Sequence, residues 1–109
     1  ALQKARGSWI SILDGDDEMA PERCERLLAL ARATNADIVA DNFERMALDG
    51  TSIGTTSFPK RTANFSFVVD GSTFLRSNLA LERSRVSLGA IKPLISADFL
   101  RSSGLKYPE

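Results

Sequence analysis

No histidine occurs among the 109 residues, and cysteine occurs once, at Cys24. A Cys/His zinc centre is therefore excluded, and so is an internal disulfide. Such a composition suits a reducing, cytoplasmic setting. Lysine plus arginine and aspartate plus glutamate both number 14, so the formal charge is zero. With no global field to gather phosphate backbones or an anionic bilayer, nucleic acid is not an expected partner. No run reaches the roughly 18 consecutive apolar residues of a spanning helix, and the basic start at Lys4 and Arg6 has no apolar signal core behind it. Repeats and low-complexity tracts are missing too. What is present is 43% apolar residues in a length that suits one small domain over 1–109 with a single core. The chain opens at Ala1 and closes at Tyr107-Pro108-Glu109, which sets up the expectation of a segment from something longer.

Residues 8–13 carry Trp9, Ile10 and Ile12 between Gly7 and Gly15, the pattern of a short buried strand. Pro21 suits a first helical turn, Glu22 the positive helix N-terminus, and Cys24, Leu27, Leu28 and Ala31 follow at helical spacing, predicting a helix over 21–34. Ala36-Asp37-Ile38-Val39-Ala40 reads as a second strand, and a strand, helix, strand order suits a parallel crossover in an α/β layer. Asp49-Gly50 predicts a hairpin turn between 42–48 and 51–58, and Pro59-Lys60-Arg61 an exposed loop. Phe65–Val69 alternates like an edge strand, and Asp70 or Ser72 is suited to cap a helix through Phe74, Leu75 and Leu79. Pro93 argues against a central strand running throughout 86–95. Ser96 is an N-cap for a helix over 97–103, with Gly104 in the C′ role.

The chemistry concentrates in Asp14-Gly15-Asp16-Asp17, directly after the first strand. Three carboxylates at a strand end repel one another, so a cation is expected to hold them, and a divalent metal is the reading that follows. In an extended chain Asp14 and Asp16 project to one side and Asp17 to the other. A sparse oxygen site of that kind suits Mg2+ or Mn2+, which take one or two protein carboxylates and complete their shell with water and phosphate oxygens. The expected ligand is phosphate-bearing, and in open α/β sheets ligands gather beyond the carboxyl ends of strands. The bland alternative is a solvated acidic turn in which Asp17 or Glu18 merely favours the next helix dipole.

Two other loop types match part of this spacing. An EF-hand starting at Asp14 puts Glu25 at position twelve, but Met19 occupies position six, where the sharp turn needs glycine. An apolar strand ending in Asp-x-Asp is also similar to the nucleophile loop of haloacid-dehalogenase-like phosphatases, with Asp14 as nucleophile and Asp16 as acid. That pattern resumes with Thr or Val where Glu18 stands, and no later acidic pair supplies the remaining metal ligands. It stays as the alternative, beside a non-catalytic binding or assembly domain.

The stretch from Ala5 to Asp17, followed by Pro21-Glu22 and the leucine-bearing helix, resembles family 2 glycosyltransferases of the GT-A fold. Ala36-Asp37-Ile38-Val39 is similar to that family's next strand. Lys92-Pro93-Leu94-Ile95, with Phe99-Leu100, Gly104-Leu105 and Tyr107-Pro108-Glu109, is similar to its acceptor-side segment. Bacterial exopolysaccharide transferases of the succinoglycan type read this way. The resemblance is specific over 5–42 and 88–109 and weak between. It implies a partial GT-A domain, Rossmann-like, with a mixed sheet flanked by helices.

It further implies inverting transfer of a sugar from a nucleotide diphosphate donor to a hydroxyl on a saccharide or lipid-linked saccharide. Asp14 then lies near the donor's ribose and diphosphate, Asp16 binds the Mn2+ or Mg2+ that bridges that diphosphate, and Asp17 assists. The family's general base belongs to a Glu-Asp pair beyond Glu109, and its nucleotide-gripping half precedes Ala1. On that expectation the whole protein, with a peripheral membrane association, is the enzyme, and this segment exposes a sheet edge and self-associates. Glu109 itself is the wrong acid for the base. Lys92 is an acceptor-side or phosphate contact, or else a solvated edge residue. Trp9 and Cys24 read as core rather than as a sugar platform and a nucleophile. Arg76, Arg83 and Arg85 beside Glu82 read as a solvated face.

Overall fold

The computed structural model describes residues 4–56, 66–78 and 91–104. The chain divides into two compact units, Ala1–Asp41 with Lys92–Glu109, and Asn42–Ile91.

The first unit is a three-stranded sheet with helices. β1 is Trp9–Ser11, α1 is Arg23–Thr34 and β2 is Ile38–Val39. The hairpin strands of the second unit are β3, Glu44–Met46, and β4, Ser52–Thr56, followed by helix α2, Gly71–Asn78. The chain then returns to the first unit as β5, Leu94–Ser96, and α3, Ala97–Ser103. The sheet order is β1-β5-β2. β5 is antiparallel to both neighbours, with Ser11 opposite Leu94 on one side and Val39 opposite Leu94 on the other. β1 and β2 therefore run in the same direction, as the crossover through α1 requires, but they do not touch. A strand from late in the chain stands between them, so the expected parallel pair is replaced by two antiparallel ones. Every strand pairing among the described residues is antiparallel, in place of the mixed sheet expected from the resemblance.

The core of this unit is small. Leu27 and Ala31 from α1 pack with Val39 and Leu94, and Trp9, Leu28, Leu30 and Ala36 close over them. The helical spacing of Leu27 and Ala31 puts both on the sheet-facing side. Pro21 and Glu22 form a turn before the helix instead of its first residues, with the Arg23 amide donating to Ala20 O at 3.0 Å. Asn35 ends the helix in the left-handed region at φ 53°, and the Ala36 amide returns to Ala31 O. α3 has both caps read from the sequence: Ser96 Oγ accepts from the Phe99 amide at 3.3 Å, and Gly104 adopts φ 66°.

β1 is shorter and less buried than residues 8–13 suggested. Its three residues are half-buried, while Ile12 and Leu13 are 38% and 48% exposed. As an edge of the described sheet β1 is supported on one side only, and the chain leaves it for the acidic turn.

In the second unit Asp49-Gly50 makes the expected hairpin turn. Gly50 has φ 82°, and Asp49 Oδ1 accepts from the Thr51 amide and hydroxyl at 2.9 and 2.7 Å, which holds its carboxyl below the usual carboxylate range. The ladder slips between Glu44↔Thr56 and Met46↔Ser52, and Gly54, at φ 72°, lies in the irregular stretch. Asp70 rather than Ser72 caps α2, accepting from the Thr73 amide at 2.7 Å. Residues 66–69 are exposed and carry no strand, contrary to the alternating pattern of Phe65–Val69. Phe65, Leu79, the Pro59-Lys60-Arg61 loop, Glu82, Arg83, Arg85 and residues 105–109 lie outside the described residues. No described helix is long and apolar enough to cross a membrane.

Candidate functional site

The site grows out of the sheet order. Continuing the antiparallel register past Ser11 and Leu94 brings Lys92 beside the residues that follow β1. Continuing it past Val39 and Leu94 brings the same lysine beside Asp41. The carboxyl ends of β1 and β2 and the start of β5 therefore converge on one place.

Beyond β1 the chain does not stay extended. Gly15 and Asp16 form a turn, closed by the Asp17 amide donating to Asp14 O at 3.1 Å. This reverses the expected pairing of side chains. An extended chain would put Asp14 and Asp16 together, whereas the turn brings Asp14 and Asp17 to one cation. Lys92 Nζ donates to Asp14 Oδ2 and lies 3.5 Å from Asp17 Oδ2. The cation that the acidic cluster called for is here an ammonium from the far end of the sequence. The hydrogen bond to Asp14, reinforced by the charges of Asp14 and Asp17, raises the Lys92 pKa above its ordinary value against a smaller opposing effect of burial.

Lys92 is itself held from below. Arg23, in the first turn of α1, donates through Nη2 to the Lys92 carbonyl. Its Nε donates to Asp41 Oδ1 and Oδ2 at 2.9 and 3.2 Å, and Nη2 lies 2.8 Å from Oδ1. The result is a chain of contacts, Asp14 and Asp17 to Lys92 to Arg23 to Asp41, that ties both strand ends and the helix N-terminus together. Neither Arg23 nor Asp41 was singled out from the sequence. A signal existed for each: a cation in a first helical turn opposes the helix dipole, and Asp41 follows β2 much as Asp14 follows β1.

Asp14 and Asp17 keep 55% and 44% of their side-chain surface exposed. Asp16 is exposed and makes no ion pair with any described residue. A Cβ added at Gly15 meets nothing within 4 Å, so the turn is open on that side. Among the described residues no three acidic, thiol or imidazole groups converge as a metal cage. The donors are hard carboxylate oxygens, few in number and open to solvent. That set fits Mg2+ or Mn2+ completed by phosphate oxygens and not a site made by protein alone.

The other candidates fall into place more simply. Trp9 packs against the core, as expected. Cys24 is a half-buried free thiol 3.5 Å from Met19 Sδ, a packing contact between the first turn of α1 and the segment before it. Glu109 is outside the described residues.

Residues 1–86 match the profile of Glycosyl transferase family 2. The chain is also 34% identical over 105 residues to the succinoglycan biosynthesis protein ExoO of Rhizobium meliloti (strain 1021). The alignment covers 96% of this chain and 29% of that protein, so the chain spans less than a third of its relative's length. No solved structure matches.

Proposed function

Because this chain belongs to glycosyl transferase family 2, we propose that it forms part of the donor site of a metal-dependent inverting glycosyltransferase with a GT-A catalytic domain. The whole protein moves a sugar from a nucleotide diphosphate to a hydroxyl of a saccharide or lipid-linked saccharide during bacterial exopolysaccharide synthesis. The likeness to a succinoglycan biosynthesis protein supports that substrate class. A nucleotide-sugar donor favours a reaction on the cytoplasmic side of the membrane, and the single cysteine of this chain is compatible with it.

The observation that carries the reading is the acidic turn at the carboxyl end of β1, inside the family match, with exposed carboxylates and an open face over Gly15. Asp16, free of described partners and exposed, is the residue assigned to the metal, with Asp14 beside the donor's ribose and diphosphate and Asp17 as a second carboxylate. When bound, the metal neutralises charge that develops on the departing nucleotide diphosphate. The chain's own part is to hold three carboxylates on a tight turn and to anchor that turn through Lys92 and Arg23.

The test is a titration of Mn2+ with a panel of nucleoside diphosphates on the full-length protein, with Asp16→Asn as comparison. Mn2+-dependent nucleotide binding that the substitution weakens supports the reading. Binding that ignores the substitution contradicts the metal role. Release of inorganic phosphate from simple phosphoesters would point instead to a phosphatase.

A further inference from the structure

Lys92 reaches the acidic turn from just before β5, 78 positions from Asp14 in sequence, and it pairs with two of the turn's three carboxylates. Its backbone is fixed: the carbonyl accepts from Arg23 Nη2, and Pro93 follows. Its side chain is held at the tip alone, by Asp14 and Asp17. A lysine carries its charge on four methylenes as a compact, rotatable donor, and this one is 32% exposed. The arrangement is a fixed pivot with a rotatable donor at its tip, set beside carboxylates that remain open to solvent.

We propose that Lys92 is a positioning residue of the donor site. With the site empty its ammonium is the resident counter-ion that clasps Asp14 to Asp17, and on donor binding the ammonium leaves those carboxylates and pairs with the diphosphate. The inference rests on the glycosyltransferase reading and deepens it. Three negative charges on the turn against one from Lys92 leave a net charge of minus two, which a divalent cation balances. While the ammonium stays on Asp14 and Asp17 it competes with that cation for Asp17, the second carboxylate of the metal site. Moved to a phosphate, it frees that carboxylate and adds a second positive contact to the donor. Lys92 thus couples the two binding events: it weakens metal binding without nucleotide and strengthens nucleotide binding with metal, which favours joint arrival. Arginine keeps the charge, whereas glutamine keeps a polar side chain, shorter by an atom, and removes the charge.

The test uses the full-length protein, Mn2+ alone, and Mn2+ with whichever of UDP, GDP and ADP the unsubstituted protein binds, read by calorimetry and by the Mn2+ electron spin resonance signal. Lys92→Gln is expected to bind Mn2+ alone roughly threefold to tenfold tighter, and the nucleoside diphosphate with Mn2+ weaker by a similar factor. Lys92→Arg is expected to stay near the unsubstituted values in both. A second measurement needs no variant: the acetylation rate of Lys92, followed by mass spectrometry, rises when Mg2+ is added alone and falls when the diphosphate follows. Mn2+ affinity that Lys92→Gln leaves unchanged or lowers, or a Lys92 acetylation rate indifferent to Mg2+, overturns the proposal. If Asp16→Asn abolishes metal-dependent nucleotide binding while Lys92→Gln changes nothing, the lysine's role alone fails. If no nucleoside diphosphate binds with metal, the glycosyltransferase reading fails with it.

Discussion

Arg23 is the residue on which the site's frame turns. It brings a positive charge into a first helical turn, where the dipole disfavours it, and offsets that with two oxygens of Asp41 and the carbonyl of Lys92. Its side chain is 13% exposed against 40% for Asp41, so replacing it leaves a half-buried carboxylate and a carbonyl without their donor. Arg23→Met is expected to lower stability by about 1 to 2 kcal/mol in urea unfolding and to weaken Mn2+-dependent nucleotide binding with it. Asp70 gives a pH signature of a different kind. The Thr73 amide and side chain hold its carboxyl below the usual carboxylate range. A depressed folded pKa means the stabilisation is complete above the unfolded value, near pH 4, and is lost as pH falls through the lower folded one. Protection of the Thr73 amide, relative to its intrinsic exchange rate, should therefore fall below about pH 4 in the native protein, and Asp70→Asn should flatten that dependence. At this scale the sequence pointed to the carboxylates of the turn but not to how they pair. Two-residue alternation puts Asp14 with Asp16, and the Asp17 to Asp14 hydrogen bond, which depends on the chain leaving the strand, puts Asp14 with Asp17.

Elements bounded by local chemistry were legible, and those positioned by distant partners were not. α3 was readable because Ser96 and Gly104 act within one turn of their own backbone. Ser96→Ala and Gly104→Ala are each expected to lose about 1 kcal/mol, the first by orphaning the Phe99 amide and the second by forcing a Cβ into φ 66°. Thermal unfolding of the two single variants and the double checks this. The hairpin turn at Asp49-Gly50 was legible for the same reason. β5 was not: Pro93 argues against a continuous central strand, yet the strand begins just past it and supplies the middle of the sheet. Nothing local announces that, because the pairing partners of Leu94 are Ser11 and Val39, both far away in sequence. The alternation at 65–69 misled in the opposite sense, since a period of two is only a permit for a strand and needs a neighbouring edge.

For the whole molecule, the family was legible from the strand, the acidic turn and the helix that follows Pro21, and the match over residues 1–86 bears that out. The geometry adds the reason those segments occur together: Lys92 and the acidic turn are neighbours across the sheet, held by Arg23. The central claim is that Asp16 carries a metal that the nucleotide diphosphate needs. Its most direct measurement is calorimetric titration of a nucleoside diphosphate into the full-length protein with and without Mn2+, for the unsubstituted protein and Asp16→Asn. The account predicts binding that requires Mn2+ and falls at least about tenfold in the variant. Equal affinity in both proteins, or binding indifferent to Mn2+, would contradict it.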